Sequence, residues 1–188
     1  MIARGGRGFN RAARVYHDAV SAFIGLGSNL GDRAASLTAA LERLGRAGLR
    51  PGAASSVWET EPVGGARDPW FWNMVARVET DLAPLALLDL LLELERRAGR
   101  TRTYPNAPRT LDLDLLLVDD LVLAEPRLEL PHPRMWERRF VLEPLAEIAP
   151  ALRNPRNGRT VAEERDGLRD AYAARRIGPL ASLARGPV

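Results

Sequence analysis

Aspartate and leucine alternate in a short stretch near the middle of the chain, residues 109–116 (RTLDLDLL). In a β-strand, residues two positions apart project to the same face, so Asp112 and Asp114 point to one side and the leucines to the other. The leucines predict a buried face of a sheet. At a rise of about 3.3 Å per residue the two carboxylates lie ~7 Å apart, close enough to share one or two hard cations.

An isolated Asp-Leu-Asp is also explained by a half-buried strand with a solvated outer face. Aspartate is poorly suited to strands, however, so two aspartates at the start of one need an explanation. Arginines are also concentrated just before this predicted strand. Five lie within fourteen residues: Arg96, Arg97, Arg100, Arg102 and Arg109. Guanidinium groups bind phosphate oxygens in pairs while magnesium bridges others, so the combination predicts a polyphosphate site.

These arginines differ in their expected positions. Arg96 and Arg97 fit the exposed last turn of a helix, where cations interact favourably with the helix dipole. Arg100 and Arg102 follow Gly99 in a loop with two prolines, and such a loop could close over a ligand. Arg109 adjoins the acidic strand.

Composition excludes several classes of chemistry. The 188 residues suffice for one domain with short extensions, and no apolar run approaches the ~20 residues needed to cross a bilayer. There is no cysteine, which excludes disulfides, thiolate nucleophiles and cysteine zinc sites. All 27 basic residues are arginine, so no lysine phosphate loop or Schiff base is possible, and a net charge of +3 does not by itself imply nucleic-acid binding. We expect a cytoplasmic protein.

The hydrophobic pattern predicts the element order β-α-β-β-α-β between residues 21 and 152. The expected strands are 22–26, 54–58, 70–78 and 111–118, and the expected helices are 37–45 and 84–99. This order is that of a ferredoxin-like α+β sandwich, an antiparallel sheet with two helices on one face.

Further elements are expected around this unit. Asp119-Asp120 predicts a hairpin turn into a strand at 121–123, and helices are expected at 140–148 and 161–175. We expect residues 1–20 to be a loosely ordered extension and residues 153–188 a peripheral one.

Aromatic and amide side chains share the third predicted strand. Alternation puts Phe71 and Asn73 on one face, and Trp72 on the other, where an aromatic residue is usually core. Phe71 together with Phe140 could sandwich a flat heterocycle, and Asn73 could hydrogen-bond to its edge.

Two further positions have open interpretations. Residues 27–29 (GSN) follow the first strand, and their backbone N–H groups could meet an anion, although an ordinary strand-to-helix turn explains them equally. His132 lies between prolines, which fits either a surface turn or a phosphate contact.

Taken together, seven blocks of the chain resemble the 6-hydroxymethyl-7,8-dihydropterin pyrophosphokinases of the folate pathway. In family order they are 23–32 (FIGLGSNLGD), 56–64 (SVWETEPVG), 71–73 (FWN), 99–102 (GRTR), 108–116 (PRTLDLDLL), 130–132 (LPH) and 138–140 (RRF). Such an enzyme moves the terminal diphosphate of ATP to the pterin hydroxymethyl group and releases AMP. The resemblance implies two Mg²⁺ ions, ATP as co-substrate and a monomer that binds small molecules, not nucleic acid or membranes.

The resemblance also implies roles for individual residues. The implied catalytic residues are Arg100, Arg102, Arg109, Asp112 and Asp114, of which the two aspartates are the metal ligands. The implied ATP contacts are Arg100, Arg102, Arg109, His132 and Arg138, with Glu95 as a supporting acid. The implied pterin contacts are Thr60, Val63, Phe71, Asn73, Asp112 and Phe140.

The chain departs from the family pattern before Pro108. Asn106-Ala107 stand where the family often carries tryptophan and glycine, and the arginine loop is about one residue short. A non-catalytic relative is therefore an alternative, although every charged site position is present. An RNA-binding module of the same topology is another, but the strands lack an aromatic RNA-binding pattern and the two aspartates would repel a polyanion.

Overall fold

The computed structural model describes residues 19–62, 69–99, 109–169 and 172–184. Its first seven elements are β1 (Val20–Ser28), α1 (Arg33–Arg46), β2 (Arg50–Ala54), β3 (Val57–Thr60), β4 (Phe71–Thr80), α2 (Pro84–Arg97) and β5 (Asp112–Val118). They are followed by β6 (Leu123–Glu125), β7 (Leu128–Leu130), a 3-10 turn (Met135–Glu137), α3 (Arg139–Ile148), α4 (Val161–Asp166), β8 (Ala174–Gly178) and α5 (Leu180–Leu183).

The main sheet is antiparallel with the order β5-β1-β4-β3-β8, and β2 pairs with β4 next to β3. The second strand of the predicted unit is thus divided into β2 and β3. Ser55 lies at the division and exchanges hydrogen bonds with Val75, its N–H donating to the Val75 carbonyl and its Oγ accepting from the Val75 N–H. The predicted ferredoxin-like fold is confirmed.

Local signals in the sequence set the limits of the first two helices. The carboxylate of Asp32 caps α1 by accepting a hydrogen bond from the Ala35 N–H at 2.9 Å. Pro84 opens α2, and Gly99 ends it with a φ of 81°, a conformation that favours glycine.

Each face of the sheet has its own hydrophobic core. Helices α1 and α2 pack on the face that presents Ile24 and Leu26. Helices α3 and α4 pack on the opposite face, against Phe23, Val75 and Leu117. Helix α3 begins only at Arg139 and covers the second face incompletely. The C-terminal end of β1 and the adjacent N-terminal end of β5 remain accessible beside it.

The hairpin predicted after Asp119-Asp120 was wrong. The chain turns there, but β6 pairs with β7 in a separate two-stranded sheet rather than with β5. The turn that makes this hairpin is Pro126-Arg127, between the two short strands. Asp119 instead continues the pairing with β1, since its N–H donates to the Ser21 carbonyl and its carboxylate accepts from the Ser21 N–H.

The helix predicted over residues 161–175 was also too long. Helix α4 ends at Asp166, and residues 174–178 form β8, which pairs with β3 along the edge of the main sheet. Leu180, just after β8, is buried in the core beneath α1 and α2. Residues 174–180 are therefore part of the packed domain and not peripheral to it.

Candidate active site

Two glycines of the central strand β1 form the floor of a depression on the α3 face of the sheet. Gly27 lies between Asn73 of β4 and Asp112 of β5, and Gly25 lies between Val75 and Asp114. A Cβ atom on Gly27 would lie only 2.8 Å from Asn73 Oδ1, so this position has no room for a side chain. The two glycines are spaced two residues apart in the sequence, and this spacing is the signal that could have located the floor of the site.

Asp112 and Asp114 line this depression from β5, and their side chains are partly exposed, at 22% and 35%. Each has an arginine beside it. Arg109 Nη1 lies 2.9 Å from Asp112 Oδ2, and Arg138 Nη1 lies 3.9 Å from Asp114 Oδ2. The predicted alternation is therefore present, and both carboxylates face the same open space.

The two carboxylates fit magnesium better than a metal ion whose ligands must all come from the protein. Within the described ranges, no group of three or more histidine, cysteine or acidic side chains is arranged to hold a metal. Mg²⁺ is commonly held by one or two carboxylates, with substrate phosphates and water completing the octahedron. Asp112 and Asp114 supply that number of hard oxygen ligands.

His132 joins this group from the connector after β7. Its backbone N–H donates to the Leu116 carbonyl at 2.8 Å, which ties the connector to β5. Its Nδ1 accepts a hydrogen bond from the Arg134 N–H at 3.3 Å, so a neutral ring carries its proton on Nε2. Burial, assisted by the positive charges of Arg138 and Arg134 and opposed by Asp114, lowers the pKa of His132 below 6.5. The ring is thus a neutral hydrogen-bond donor at pH 7.

Arg138 lies immediately before α3 and is mostly buried. Its guanidinium carbon is 5.3 Å from the centre of the Phe140 ring. Burial and the neighbouring Arg134 lower the pKa of Arg138, whereas Asp114 and Asp112 oppose that change. A positive group in this position interacts with both aspartates and with any anion bound above them.

The residues predicted to bind a flat heterocycle lie on the other side of the two glycines. Asn73 Nδ2 donates to Thr60 Oγ1 at 2.7 Å, and both residues are buried. This bond fixes the amide so that its oxygen faces Gly27. Phe140 lines the depression together with Asn73 and Asp112, and Phe71 lies 5.9 Å from the Arg109 guanidinium.

The remaining predicted site residues fall into two groups. Glu95 is only 2% exposed and accepts a hydrogen bond from the Leu113 N–H at 2.7 Å, so it supports β5 between the two aspartates. Arg100, Arg102, Val63 and the Asn106-Ala107 pair lie outside the described residues. Arg96 and Arg97 are exposed at the end of α2 and pair with Glu93, as the helix-end interpretation predicted.

Asn29 has a role that sequence reasoning missed. Its side chain is buried, donates through Nδ2 to the Pro69 carbonyl at 3.2 Å and accepts at Oδ1 from the Arg109 N–H at 2.7 Å. Its own N–H donates to the Arg109 carbonyl at 3.1 Å and is therefore not available to an anion. Asn29 thus fixes both Arg109 and the start of β4, two parts of the site that are distant in sequence.

Comparison with models of known protein families shows the family to which the chain belongs. The model of the family described as 7,8-dihydro-6-hydroxymethylpterin-pyrophosphokinase (HPPK) matches residues 23–150 of the chain. The chain belongs to this family. The match spans β1 to α3 and so includes every site residue discussed above.

Curated relatives of the HPPK family support the same assignment. A 2-amino-4-hydroxy-6-hydroxymethyldihydropteridine pyrophosphokinase of Pseudomonas aeruginosa is 45% identical over 142 residues, 75% of this chain and 87% of the relative. One of Methylorubrum extorquens is 43% identical over 132 residues, 70% of this chain and 84% of the relative. The chain is therefore an ATP-dependent pyrophosphokinase of folate biosynthesis whose acceptor is 6-hydroxymethyl-7,8-dihydropterin. The hypothesis of an RNA-binding module was wrong.

Solved structures of larger HPPK-containing chains show the same fold. Wild-type HPPK-DHPS of Plasmodium falciparum aligns with a TM-score of 0.65 at 14% identity, over 79% of this chain and 44% of that chain. The same protein with pterin and p-hydroxybenzoate aligns with a TM-score of 0.62 at 16% identity, over 79% and 43%. The present chain thus spans less than half of those proteins, and at this identity the likeness concerns the fold alone.

Proposed function

We propose that pyrophosphoryl transfer takes place in the depression above Gly25 and Gly27, with ATP on the β5 side and the pterin on the β4 side. The observation that carries this proposal is the position of Asp112 and Asp114 on one open face, each with an arginine beside its carboxylate. Paired carboxylates suit Mg²⁺ and guanidinium groups suit phosphate oxygens, so this combination suits a magnesium-bound polyphosphate.

The reaction needs charge neutralisation and alignment more than a covalent nucleophile. The pterin hydroxyl oxygen attacks the β-phosphorus of ATP, the bond from that phosphorus to the oxygen bridging the α-phosphorus breaks, and the electron pair leaves with AMP. The hydroxyl proton is released. Arg109, Arg138 and the Nε2–H of His132 are the proposed donors to the phosphate oxygens.

Asp112 and Asp114 are the proposed ligands of two Mg²⁺ ions. Bound magnesium would neutralise phosphate charge and fix the polyphosphate relative to the acceptor. The ion pair between Arg109 and Asp112 suggests that both side chains change partners when magnesium and ATP bind. A cation bound by the Asp112 carboxylate would compete with Arg109 for its oxygens, and the guanidinium would then be available to the phosphates.

The pterin would be recognised by a fixed amide and by aromatic surfaces. Because Thr60 holds the Asn73 Nδ2, the Asn73 oxygen can accept from N–H groups on the edge of the heterocycle. Phe140 and Phe71 are the proposed stacking surfaces. Backbone groups around Thr60 and Val63 are proposed to complete the pocket.

The loop arginines and the supporting acid complete the proposal. Arg100 and Arg102 are proposed as further phosphate contacts that close over ATP, and Glu95 as the acid that holds β5 in register beneath it. We also propose that the protein acts as a monomer in the cytoplasm. In the part of the chain that the structure describes, no helix is long and apolar enough to cross a membrane.

The test is the formation of AMP from ATP and Mg²⁺ by the purified protein, with and without the reduced pterin. AMP should appear only when the pterin is present, and Asp112→Asn should abolish it. The absence of AMP above background in the complete mixture would overturn the proposed function.

A further inference from the structure

Strand β8 lies beyond residue 150, where the family match ends, yet it contacts the elements that carry the proposed pterin pocket. It pairs with β3 from Val57 to Thr60, and Thr60 is the residue that orients Asn73. The Glu61 N–H also donates to the Ala173 carbonyl at 3.0 Å. This pairing holds the end of β3 at the edge of the pocket.

Arg175 of β8 reaches a carboxylate on the α1 side of the sheet. It pairs with Glu59, which also accepts from Trp72 Nε1 at 3.3 Å and from Arg33 Nη1 at 3.4 Å. Arg33 in turn donates to the Trp70 carbonyl at 2.8 Å. Glu59 therefore joins β8 to the start of β4, one residue from both Thr60 and Phe71 in the pairing register.

Arg176, the next residue, reaches a carboxylate on the other side of the sheet. Its Nη2 lies 3.1 Å from Glu147 Oε1 in α3, the helix whose first turn carries Phe140. Glu147 also accepts from the Ser56 N–H at 3.1 Å, from Ser56 Oγ at 2.8 Å and from Trp58 Nε1 at 3.2 Å. It therefore fixes α3 to β3.

The arginines of β8 are among the groups that stabilise both carboxylates in their charged form. Burial alone would raise the pKa of Glu59, but the hydrogen bonds from Arg175 and Trp72, with the charges of Arg175 and Arg33, lower it below 4.5. Burial likewise opposes the hydrogen bonds from Arg176, Ser56 and Trp58 that lower the pKa of Glu147. Because the Arg175 and Arg176 side chains are themselves largely exposed, at 72% and 53%, we expect the two pairs to add little to stability and to act mainly on geometry.

We propose that Arg175 and Arg176 are positioning residues for the pterin pocket: through Glu59 and Glu147 they hold the two sides of that pocket, β3–β4 and α3, at a fixed separation. The inference rests on the proposed function, because the pocket is defined by it. It concerns mainly the pterin side, since the two arginines pair with Glu59 of β3 and with Glu147 in the last turn of α3, and neither β5 nor Arg109 takes part in these pairs.

The test uses the double variant Arg175→Ala/Arg176→Ala and steady-state kinetics of AMP formation. We expect the KM for the pterin to rise about tenfold while kcat and the KM for ATP stay within about twofold of wild type, the pattern that follows when binding of one substrate is weakened equally in the ground state and the transition state. Arg175→Lys/Arg176→Lys should restore part of the pterin affinity. The matched control is Arg46→Ala, which removes an exposed arginine paired with Glu42 at the far end of α1 and should change neither KM.

A second variant, Glu59→Gln, keeps the test decisive if the double variant does not fold. It removes the ion pair between Arg175 and Glu59 by changing the acid, and it should also raise the pterin KM selectively. An unchanged pterin KM in these variants would overturn the inference. So would a parallel loss of kcat and both affinities together with a lower Tm, which would indicate a structural role only. A wild-type protein that forms no AMP would instead overturn the proposed function.

Discussion

At the scale of single residues, the site depends on side chains that are absent as much as on those present. A Cβ atom at position 27 would lie 2.8 Å from Asn73 Oδ1, closer than two such atoms can lie without displacement. Gly27→Ala should therefore displace the Asn73 amide and weaken pterin binding at least tenfold, the scale set by misplacement of a binding group. Calorimetric titration with pterin and a non-hydrolysable ATP analogue measures this. Gly45→Ala, with open space around its Cβ position, is the control and should bind normally.

A second prediction at this scale concerns Asn29, whose buried side chain joins Arg109 to the segment just before β4 through hydrogen bonds. Asn29→Ala leaves the Arg109 N–H and the Pro69 carbonyl without their partner and should lower the free energy of unfolding by about 1–3 kcal/mol. Asn29→Asp keeps an acceptor for Arg109 and should lose less. Urea denaturation measures the stability of both variants. Equal stability of wild type and Asn29→Ala would show that these bonds do not hold the two segments.

At the scale of elements, sequence periodicity correctly predicted the helices and strands whose buried face is marked by regularly spaced leucines. The leucines of α1 and α2 and the alternation in β5 report directly which face is buried, so these elements were placed correctly. Strands β7 and β8 were missed, and the strand predicted at 121–123 had the wrong partner, because each of these strands is short and its pairing is decided by the tertiary fold. β8 contains Arg175 and Arg176 and has no apolar alternation, and the partners that position it, β3 with the acids Glu59 and Glu147, are distant in sequence.

The packing of α3 on β3 yields a prediction about pH. The hydrogen bonds to Glu147 lower its pKa below the ordinary value of 4.5, despite the opposing effect of burial. Its contribution to stability is therefore complete above pH 4.5 and is lost as the pH falls through the lower pKa of the folded state. The free energy of unfolding should decrease below pH 4.5, and Glu147→Gln should show a smaller decrease. Identical pH profiles for the two proteins would contradict this account.

At the scale of the whole molecule, both faces of the sheet bury a hydrophobic core, and the part of one face that α3 leaves open carries the proposed site. Helices α1 and α2 bury one face, which allows β1 and β5 to present glycines and aspartates on the other. Alternation predicted the shared face of Asp112 and Asp114, the position of His132 between prolines left a surface turn and a phosphate contact both open, and the family resemblance supplied Arg138. Residues 27–29 were considered only as a possible anion contact, and the roles of Asn29, Gly25 and Gly27 described above were not predicted, because they depend on neighbours that are adjacent only in the folded chain.

The central claim is that Asp112 and Asp114 together hold divalent metal beneath the polyphosphate. Mn²⁺ also prefers oxygen ligands and can be counted by electron paramagnetic resonance with a non-hydrolysable ATP analogue bound to the protein. The control Asp120→Asn/Asp166→Asn makes the same change in net charge at two exposed positions. The account predicts two Mn²⁺ ions per chain for wild type and control, and fewer, more weakly held, for Asp112→Asn/Asp114→Asn. Full binding of Mn²⁺ by this last variant, with unchanged affinity, would contradict it.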